Sequence, residues 1–173
     1  MKRRGFTLVE LLVVLAVGSI LLAIAIPSYA FLVNTSRLAA VTNDLVTALQ
    51  LARSEAIKRG TRVTVCKISD AMAAAPACST TANWQDGWLV FVDDGVRGVI
   101  DGGDTLLWVR GPMANGTIST DSNYSRFVSY RASGVSQGSG GLRNGTLRIC
   151  LASRQRDIII NYTGRIRLEP TTC

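Results

Sequence analysis

The chain has 173 residues, of which 47% are hydrophobic and only 18% charged, so there is room for one domain of ordinary size and not for two. Its 19 lysines and arginines outnumber its 12 acids and give a net charge of +7. There is no histidine, which excludes Ser-His-Asp and Cys-His nucleophile pairs and the usual general base near neutral pH.

The first element is an apolar segment close to the N-terminus. Lys2, Arg3 and Arg4 precede it, and between Phe6 and Ile26 the strongly polar residue is Glu10. As a helix this segment rises about 32 Å, which matches the ~30 Å hydrocarbon core of a bilayer. By the positive-inside rule the cations keep the N-terminus in the cytoplasm and place the rest of the chain outside. A soluble cytosolic protein is therefore not expected.

The start of this segment carries a specific motif. Arg4-Gly5-Phe6-Thr7-Leu8-Val9-Glu10 resembles the class III signal of type IV pilins and type II secretion pseudopilins. The resemblance implies that a prepilin peptidase cuts between Gly5 and Phe6 and methylates Phe6. The apolar helix then anchors the protein in the inner membrane and later packs in a filament core. An ordinary secretory signal, cleaved near Ala23-Ile24-Ala25, is the alternative.

Glu10 puts a carboxylate inside the apolar segment, where a charge without a partner is costly. One explanation is that Glu10 lies close enough to the helix start to reach the lipid headgroups. The resemblance implies a different role, in which Glu10 neutralises the N-terminal amine of a neighbouring subunit during filament assembly.

A second helical stretch follows the first. Pro27 is expected to end or kink the apolar helix, and apolar residues then recur at helical spacing as Val41, Leu45, Ala48, Leu49, Ala52 and Ala56. Gly60 is placed as a stop. We predict a long helix over residues 6–59, with 6–26 as its transmembrane or filament-core part and the second half packed on a head domain.

After Gly60 the pattern changes to the alternation typical of strands. The strand-like segments are 62–67, 88–92, 105–109, 126–131, 146–150, 157–162 and 165–168. Asn144-Gly145 and Thr163-Gly164 are turn signals, and the glycine- and serine-rich residues 133–141 predict a mobile loop. Residues 60–173 are therefore predicted to be a β-rich head, and the fold class is α+β.

The chain as a whole is similar to the GspH/FimT family, the minor pilins and minor pseudopilins of Gram-negative bacteria. The similar segments are 52–59, 63–66, 86–91 and 164–167. The resemblance implies the type IV pilin fold, a long N-terminal α-helix packed on an antiparallel β-sheet head. It also implies a leader over 1–5 that is removed, other major and minor pilins as partners, and a periplasmic head that later joins a pilus on the cell surface.

Four cysteines, Cys66, Cys78, Cys150 and Cys173, lie in the part expected to face the oxidising periplasm, which predicts two disulfides. Three connectivities are possible. We favour Cys66–Cys78 and Cys150–Cys173, because each closes a local loop and the second would fasten the chain end. A zinc site is the alternative, but no C-x-x-C spacing and no histidine support it.

Four acids crowd a glycine-rich loop between two predicted strands, Asp93, Asp94, Asp101 and Asp104. Oxygen-rich loops can hold calcium, but this spacing departs from the D-x-[DN]-x-[DN]-G pattern and lacks the late glutamate. We predict a solvated turn and no bound metal, with calcium as the alternative.

Charge is segregated along the chain. Residues 68–121 contain two cations and seven acids, whereas residues 122–173 contain eight arginines and two acids. Two pairs, Arg154 with Arg156 and Arg165 with Arg167, have a spacing of two residues, which on extended backbone puts each pair on one side. Paired guanidinium groups at this spacing can hold successive phosphates without reading bases.

The family resemblance associates Gly164-Arg165-Ile166-Arg167 with DNA binding during natural transformation. The predicted DNA-binding residues are Gly164, Arg165, Arg167, Arg154, Arg156, Arg148 and Arg143. Alternatively, these arginines solvate an exposed edge strand or contact acidic loops of neighbouring subunits.

The sequence thus predicts a minor type IV pilin of the initiation or tip complex that binds double-stranded DNA without sequence preference. The alternatives are a purely structural minor pilin and a minor pseudopilin of type II secretion. No nucleophile–base pair and no phosphate-binding glycine loop is present, so we predict no enzyme, no cofactor and no small-molecule substrate.

Overall fold

One long helix precedes all the strands. The computed structural model describes residues 7–173, apart from the side chain of Pro27. Helix α1 covers Leu8–Arg59, and a short 3-10 helix covers Trp84–Asp86. The strands are β1 Val63–Lys67, β2 Trp88–Val92, β3 Thr105–Arg110, β4 Thr117–Thr120, β5 Phe127–Tyr130, β6 Ser136–Gly138, β7 Gly145–Leu151, β8 Arg154–Ile160 and β9 Ile166–Thr172.

The chain divides into two compact units, and the first ends at Arg37. It consists of the N-terminal part of α1, whose large apolar side chains are exposed, from Leu8 at 74% to Leu32 at 63%. An 18-residue window of α1 has a mean hydropathy of 2.8, so by length and composition the helix can cross a membrane. Helix α1 continues through Pro27, so of the two expected effects of this proline the end of the helix does not occur.

The second unit, Leu38–Cys173, begins inside α1 because the second half of the helix supplies its core. The predicted apolar stripe is buried at every position, and Leu45, Ala48 and Leu49 are fully inaccessible to solvent. Small alanines on this face allow the strands to approach the helix closely. The stripe packs against residues of β1, β2, β5, β7 and β8 in one apolar cluster.

The strands form two antiparallel sheets. The five-stranded sheet has the order β3-β2-β1-β5-β6, and the four-stranded sheet has the order β4-β7-β8-β9. Every residue of β1, β2 and β5 is buried, because a second apolar cluster around Phe91 and Phe127 covers the face turned away from the helix. Strand β7 instead alternates between buried and half-buried residues, which leaves the outer face of the four-stranded sheet open to solvent.

The structure corrects three local predictions. Strand β4 was not foreseen, since its four polar and β-branched residues are too short a run to show alternation. Strand β6 lies within the residues 133–141 predicted to be a mobile loop, because the buried Ser136 hydroxyl donates to the Arg143 carbonyl oxygen, 2.7 Å away.

The prediction of a turn at Asn144-Gly145 is also wrong, since Gly145 begins β7. A Cβ at Gly145 would lie 2.6 Å from a ring carbon of Tyr124, so packing explains this glycine. The turn between β7 and β8 consists of Ala152 and Ser153, both at positive φ (50° and 67°). This pair lacks the glycine, asparagine or aspartate that a two-residue hairpin turn favours.

Two buried tyrosines, Tyr124 and Tyr130, belong to the main core where the sheets meet the helix. The Tyr124 carbonyl oxygen accepts from the Trp84 indole N–H, 2.9 Å away, and the Tyr124 hydroxyl donates to Ser136 Oγ, 3.3 Å away. Burial raises the pKa of Tyr124 to about 12, and the nearby Asp121 carboxylate acts in the same direction. Burial also raises the pKa of Tyr130 far above its ordinary value.

These pKa shifts predict a loss of stability at alkaline pH. Below pH 10 both tyrosines are neutral whether the chain is folded or unfolded, so their contribution is complete. Between pH 10 and about 12 the unfolded chain releases the Tyr124 proton while the folded chain keeps it, so Tyr124 alone lowers the free energy of unfolding by about 2–3 kcal/mol, and Tyr130, whose pKa burial also raises, adds to this loss. Urea unfolding of the full chain in neutral detergent at several pH values measures this. A Tyr124→Phe variant whose stability falls as steeply as that of the wild type would contradict it.

Candidate functional site

Of the predicted N-terminal site residues, Gly5 and Phe6 lie outside the described part of the chain. Glu10 is exposed in the first turn of α1, and its backbone N–H donates to the Thr7 hydroxyl, 3.3 Å away. Thr7 therefore caps the helix, and a carboxylate in the first turn is favourable beside the positive end of the helix dipole. This gives Glu10 a local structural role. Its role in assembly stays a prediction.

The turn between β8 and β9 carries the Gly164-Arg165 part of the predicted motif. The Asn161 side-chain oxygen accepts from the backbone N–H groups of Thr163 and Arg165, 3.1 and 2.9 Å away. The Asn161 backbone N–H donates to the Arg165 carbonyl oxygen at 3.0 Å, and Gly164 has φ +78°. Asn161 thus closes the turn, and glycine suits the left-handed position next to Arg165.

Arg53 of α1 attaches this turn to the core. Its Nε donates to the Gly134 carbonyl oxygen and one terminal nitrogen donates to the Thr163 carbonyl oxygen, each at 3.1 Å. A Cβ on Gly164 would collide with the same Gly134 oxygen. The glycine of the motif therefore has a packing role, because the β8–β9 turn lies directly on the turn that Arg131–Gly134 forms between β5 and β6.

Arg154 and Arg156 lie on the inner face of the four-stranded sheet. They alternate along β8 with the same phase as Ile158 and Ile160, whose side chains are buried under the helix. Both arginines are half-buried at the far end of the strand from the β8–β9 turn. Arg154 and Arg156 therefore share one face of the sheet, as predicted, but it is the face opposite to the one that carries the other arginines.

Arg148, Arg165 and Arg167 belong to the outer face. Arg148 is directly opposite Asp157, and Arg167 is directly opposite Ile159. Arg165 and Arg167 together line a concavity of about 390 Å³ beside Ile159. The strand register thus places these three arginines on one face of the sheet, and Arg154 and Arg156 on the other.

Two of the outer arginines are neutralised within the chain. Arg167 forms an ion pair with Glu169, with nitrogen and oxygen 2.9 Å apart, and Arg148 lies 3.9 Å from a carboxylate oxygen of Asp157. Both arginines are at least 40% exposed, so these pairs contribute little stability, but each lowers the positive charge offered to a ligand.

Arg143 and Arg165 keep their charge. Arg143 donates to the Tyr162 hydroxyl, and its guanidinium carbon lies 5.0 Å from the centre of the Tyr162 ring. Tyr162 is 59% exposed. Within residues 7–173, no carboxylate lies within ion-pair distance of Arg143 or Arg165. Tyr162 and Arg165 lie on the β8–β9 turn, and Arg143 contacts this turn through Tyr162 from the segment before β7.

Both disulfides join the pairs that the local-loop argument favours. Cys66 is bonded to Cys78 and Cys150 to Cys173, with Cα atoms 5.6 and 5.9 Å apart. The second bond ties the end of β9 directly to β7, across β8. It holds the strand that carries Arg167 in place, because a free chain end would fray.

The carboxylates of the acidic loop between β2 and β3 accept hydrogen bonds from other groups of the same chain. Asp101 and Asp104 accept from backbone N–H groups of the loop itself, at 2.9–3.0 Å. Asp93 accepts from Arg62, Thr64 and the backbone of Gly98. Over residues 7–173, no group of three or more acids, cysteines or histidines is arranged to hold a metal ion.

The family model described as type II transport protein GspH matches residues 41–164. The chain belongs to the GspH family. A model of the prokaryotic N-terminal methylation motif matches residues 1–26 and confirms the prepilin-type signal of this GspH-family chain. No curated protein matches the sequence significantly.

Two crystal structures of the type IV minor pilin FimU from Pseudomonas aeruginosa strain PAO1 share the fold of this GspH-family chain. One has 20% identity and a TM-score of 0.58 and covers 77% of this chain and 88% of the FimU chain. The other, in a different crystal form, has 20% identity and a TM-score of 0.56, with coverages of 76% and 92%. These likenesses confirm the predicted type IV pilin fold.

Sequence reasoning missed three residues that shape the site of this GspH-family head. Arg53 lies 81 positions from Gly134 and 110 from Thr163, so no local pattern could connect them. Arg131 lies on the neighbouring turn, and Tyr162 gave no signal beyond its place at the end of a predicted strand.

Gly164→Ala tests whether the motif glycine is needed for packing. Alanine at φ +78° costs about 1–2 kcal/mol of strain, and the collision with Gly134 adds to it. Gly141→Ala is the matched control, because Gly141 also has positive φ (+90°) but nothing lies within 4 Å of its added Cβ. We expect Gly164→Ala to lower the free energy of unfolding by more than the control does, measured by urea unfolding. Equal losses would show that the contact with Gly134 is unimportant.

Proposed function

We propose that the chain is a minor subunit of a type IV pilus. Prepilin peptidase cleaves it between Gly5 and Phe6 and methylates Phe6, and the N-terminal part of α1 then holds it in the inner membrane with the head in the periplasm. It later joins other major and minor pilins in a filament on the cell surface. The methylation-motif match and the family support this proposal.

The exposed apolar surface of α1 agrees with this life cycle. From Leu8 to Ile26 the large apolar side chains are more than half exposed in the isolated chain. Such a surface needs either lipid or neighbouring apolar helices around it. A membrane before assembly and a filament core after assembly supply these two environments in turn.

We also propose that the head binds double-stranded DNA without sequence preference at the β8–β9 turn. One observation carries this proposal: Arg143 and Arg165 are exposed and lack a carboxylate partner within residues 7–173, and both belong to the β8–β9 turn surface, Arg165 as part of the turn and Arg143 through its contact with the exposed Tyr162. Guanidinium forks match phosphate oxygens, and contacts to phosphates alone carry no sequence information.

The outer-face arginines differ in what they can contribute to this binding. Arg148 and Arg167 are already paired with acids, so they add less positive charge. Arg154 and Arg156 lie on the inner face, so we leave them out of the proposed contact. The family motif thus acts chiefly through Arg165, with Gly164 shaping the turn that presents it.

A second candidate function is a purely structural contact surface. The Arg148–Asp157 and Arg167–Glu169 pairs favour it, because they make the outer face of the four-stranded sheet a mixed-charge surface of the kind that meets other proteins. In this case the chain serves as a minor pilin or as a pseudopilin of type II secretion. Both the family and the fold belong to structural subunits, so we propose no catalytic activity, cofactor or small-molecule substrate.

The DNA proposal predicts a change in salt dependence. Replacing Arg143 and Arg165 by glutamine removes two phosphate contacts, so the slope of log K against log salt concentration shrinks by roughly 2 and binding at low salt weakens. Fluorescence anisotropy of a labelled duplex of arbitrary sequence, with the full chain in neutral detergent, measures this. The matched control replaces Arg154 and Arg156 by glutamine, which removes the same charge from the inner face. An unchanged slope in the first variant, or equal effects in both, would refute the site.

The assembly proposal predicts a defect in Glu10→Ala. This variant still enters the membrane and is processed, but it leaves the N-terminal amine of a neighbour without a partner in an apolar core. Since such a charge costs a few kcal/mol, we expect about tenfold less of the variant in sheared filaments of the native host. Ser19→Ala is the control, because the Ser19 hydroxyl donates only within its own helix, to the Ala16 carbonyl oxygen. Normal incorporation of Glu10→Ala would rule out the assembly role.

A deletion strain distinguishes a minor pilin of a type IV pilus from a pseudopilin of type II secretion. If the chain is a minor pilin, loss of its gene reduces surface pili and leaves protein export intact. A defect in export with normal pili would assign it to type II secretion.

A further inference from the structure

A second group of arginines lies away from the β8–β9 turn, next to the five-stranded sheet. Arg62, Arg97 and Arg131 line one concavity of about 330 Å³, together with Thr61 and Gln137. Arg62 lies in the link between α1 and β1, Arg97 in the acidic loop, and Arg131 directly after β5. Arg97 belongs to the acidic part of the sequence, residues 68–121, and only the folded chain places it in the same concavity as Arg131.

The charge of this concavity is only partly neutralised. Arg62 forms an ion pair with the fully buried Asp93 side chain, 2.7 Å away. Arg131 donates to the Gln137 side-chain oxygen, and Arg97 lies 5.7 Å from the centre of the Phe127 ring. In the described part of the chain, no carboxylate lies within ion-pair distance of Arg97 or Arg131. Two full positive charges therefore remain at the concavity.

Two features of the concavity oppose an anion. The Thr61 hydroxyl donates to the Asp94 carboxylate, 2.5 Å away, which places a negative charge close by. Gly60, just past the end of α1, also lines the concavity, and a helix C-terminus carries roughly −0.5 of a charge. The two unpaired guanidinium groups outweigh the carboxylate together with this partial charge. Lys58 and Arg59, in the last turn of α1, offset it further, although both also pair with Glu55.

The positive surface continues past Arg97. A neighbouring concavity of about 350 Å³ shares Arg97 and adds Arg126. Both guanidinium groups stack on Phe127, at 5.7 and 5.9 Å from its ring centre. Stacking on the ring fixes their positions without using their N–H donors, so the donors stay available to a ligand.

The two arginine groups of the head are connected where Arg131 and Arg165 lie on adjoining turns. Arg131 begins the turn that ends near Gly134, and the Gly134 carbonyl oxygen is held by Arg53. The same Arg53 holds the β8–β9 turn through Thr163. Arg53 thus joins the turn that carries Arg131 to the turn that carries Arg165.

We propose that the Arg62–Arg97–Arg131 concavity binds a phosphate oxyanion. A tetrahedral phosphate offers several oxygens to forks that arrive from three segments, whereas a planar carboxylate offers two. That this phosphate belongs to the backbone of the same DNA that contacts Arg165 rests on the proposed function. The head then holds DNA at two places, and its affinity depends on both.

Inorganic tripolyphosphate tests the concavity apart from DNA. Binding to the folded state raises the melting temperature. We expect tripolyphosphate to stabilise the full chain in neutral detergent more than sodium chloride of equal ionic strength does. An Arg97→Gln, Arg131→Gln variant loses this stabilisation. The Arg154→Gln, Arg156→Gln variant, which removes the same charge from the inner face, keeps most of it.

Two further measurements complete the test. Arg97→Lys, Arg131→Lys keeps the charge and should keep part of the stabilisation, and near-ultraviolet circular dichroism checks that each variant is folded. A polyglutamate peptide of equal charge should stabilise the wild type less than tripolyphosphate does. Stabilisation by tripolyphosphate that survives Arg97→Gln, Arg131→Gln, or a peptide that stabilises as well, overturns the phosphate site.

Failure of the DNA-binding proposal gives a different result from failure of the phosphate site. If the wild type binds tripolyphosphate at the concavity but does not bind duplex DNA, the DNA proposal fails and the phosphate site stands. If DNA binds, the Arg97→Gln, Arg131→Gln variant should shrink the salt slope by roughly 2, independently of the Arg143 and Arg165 change. A salt slope equal to that of the wild type would show that the concavity does not contact the DNA.

Discussion

The head depends on the burial of one helix face against two sheets. The stripe from Leu38 to Ala56 is covered by strands of both sheets in a single cluster, so both sheets bury their inner faces against the same helix. This arrangement forces the four-stranded sheet to turn one face inward and to leave the other open. The open face, and the turns that border the helix, are where charge can accumulate without opposing the packing.

Arg53 connects this core to the functional surface. It lies on α1 between the buried Ala52 and Ala56 and reaches two separate turns through their carbonyl oxygens. Both turns also carry an exposed arginine, Arg131 on one and Arg165 on the other. A residue that looks like an ordinary cation of a helix surface therefore sets the spacing between two positive groups, through hydrogen bonds and not through its charge.

The sequence predicted what depends on local periodicity. The apolar stripe of α1 was correct at every position because a helix repeats its contacts every three to four residues. Whether Arg154 and Arg167 share a face depends on the register between β8 and β9, which no spacing within one strand reveals. The Ala152-Ser153 turn and the position of Arg97 beside Arg131 depend likewise on contacts distant in sequence. Charge counted along the chain could not show the second arginine group.

The covalent link between Cys150 and Cys173 has a mechanical consequence. Strand β9 is an edge strand that hydrogen-bonds to β8 alone, so a force on its free end would otherwise peel it away one residue at a time. With that end tied to β7, a ligand pulled at the β8–β9 turn loads all the strand's hydrogen bonds together. The hairpin therefore resists tension as one unit.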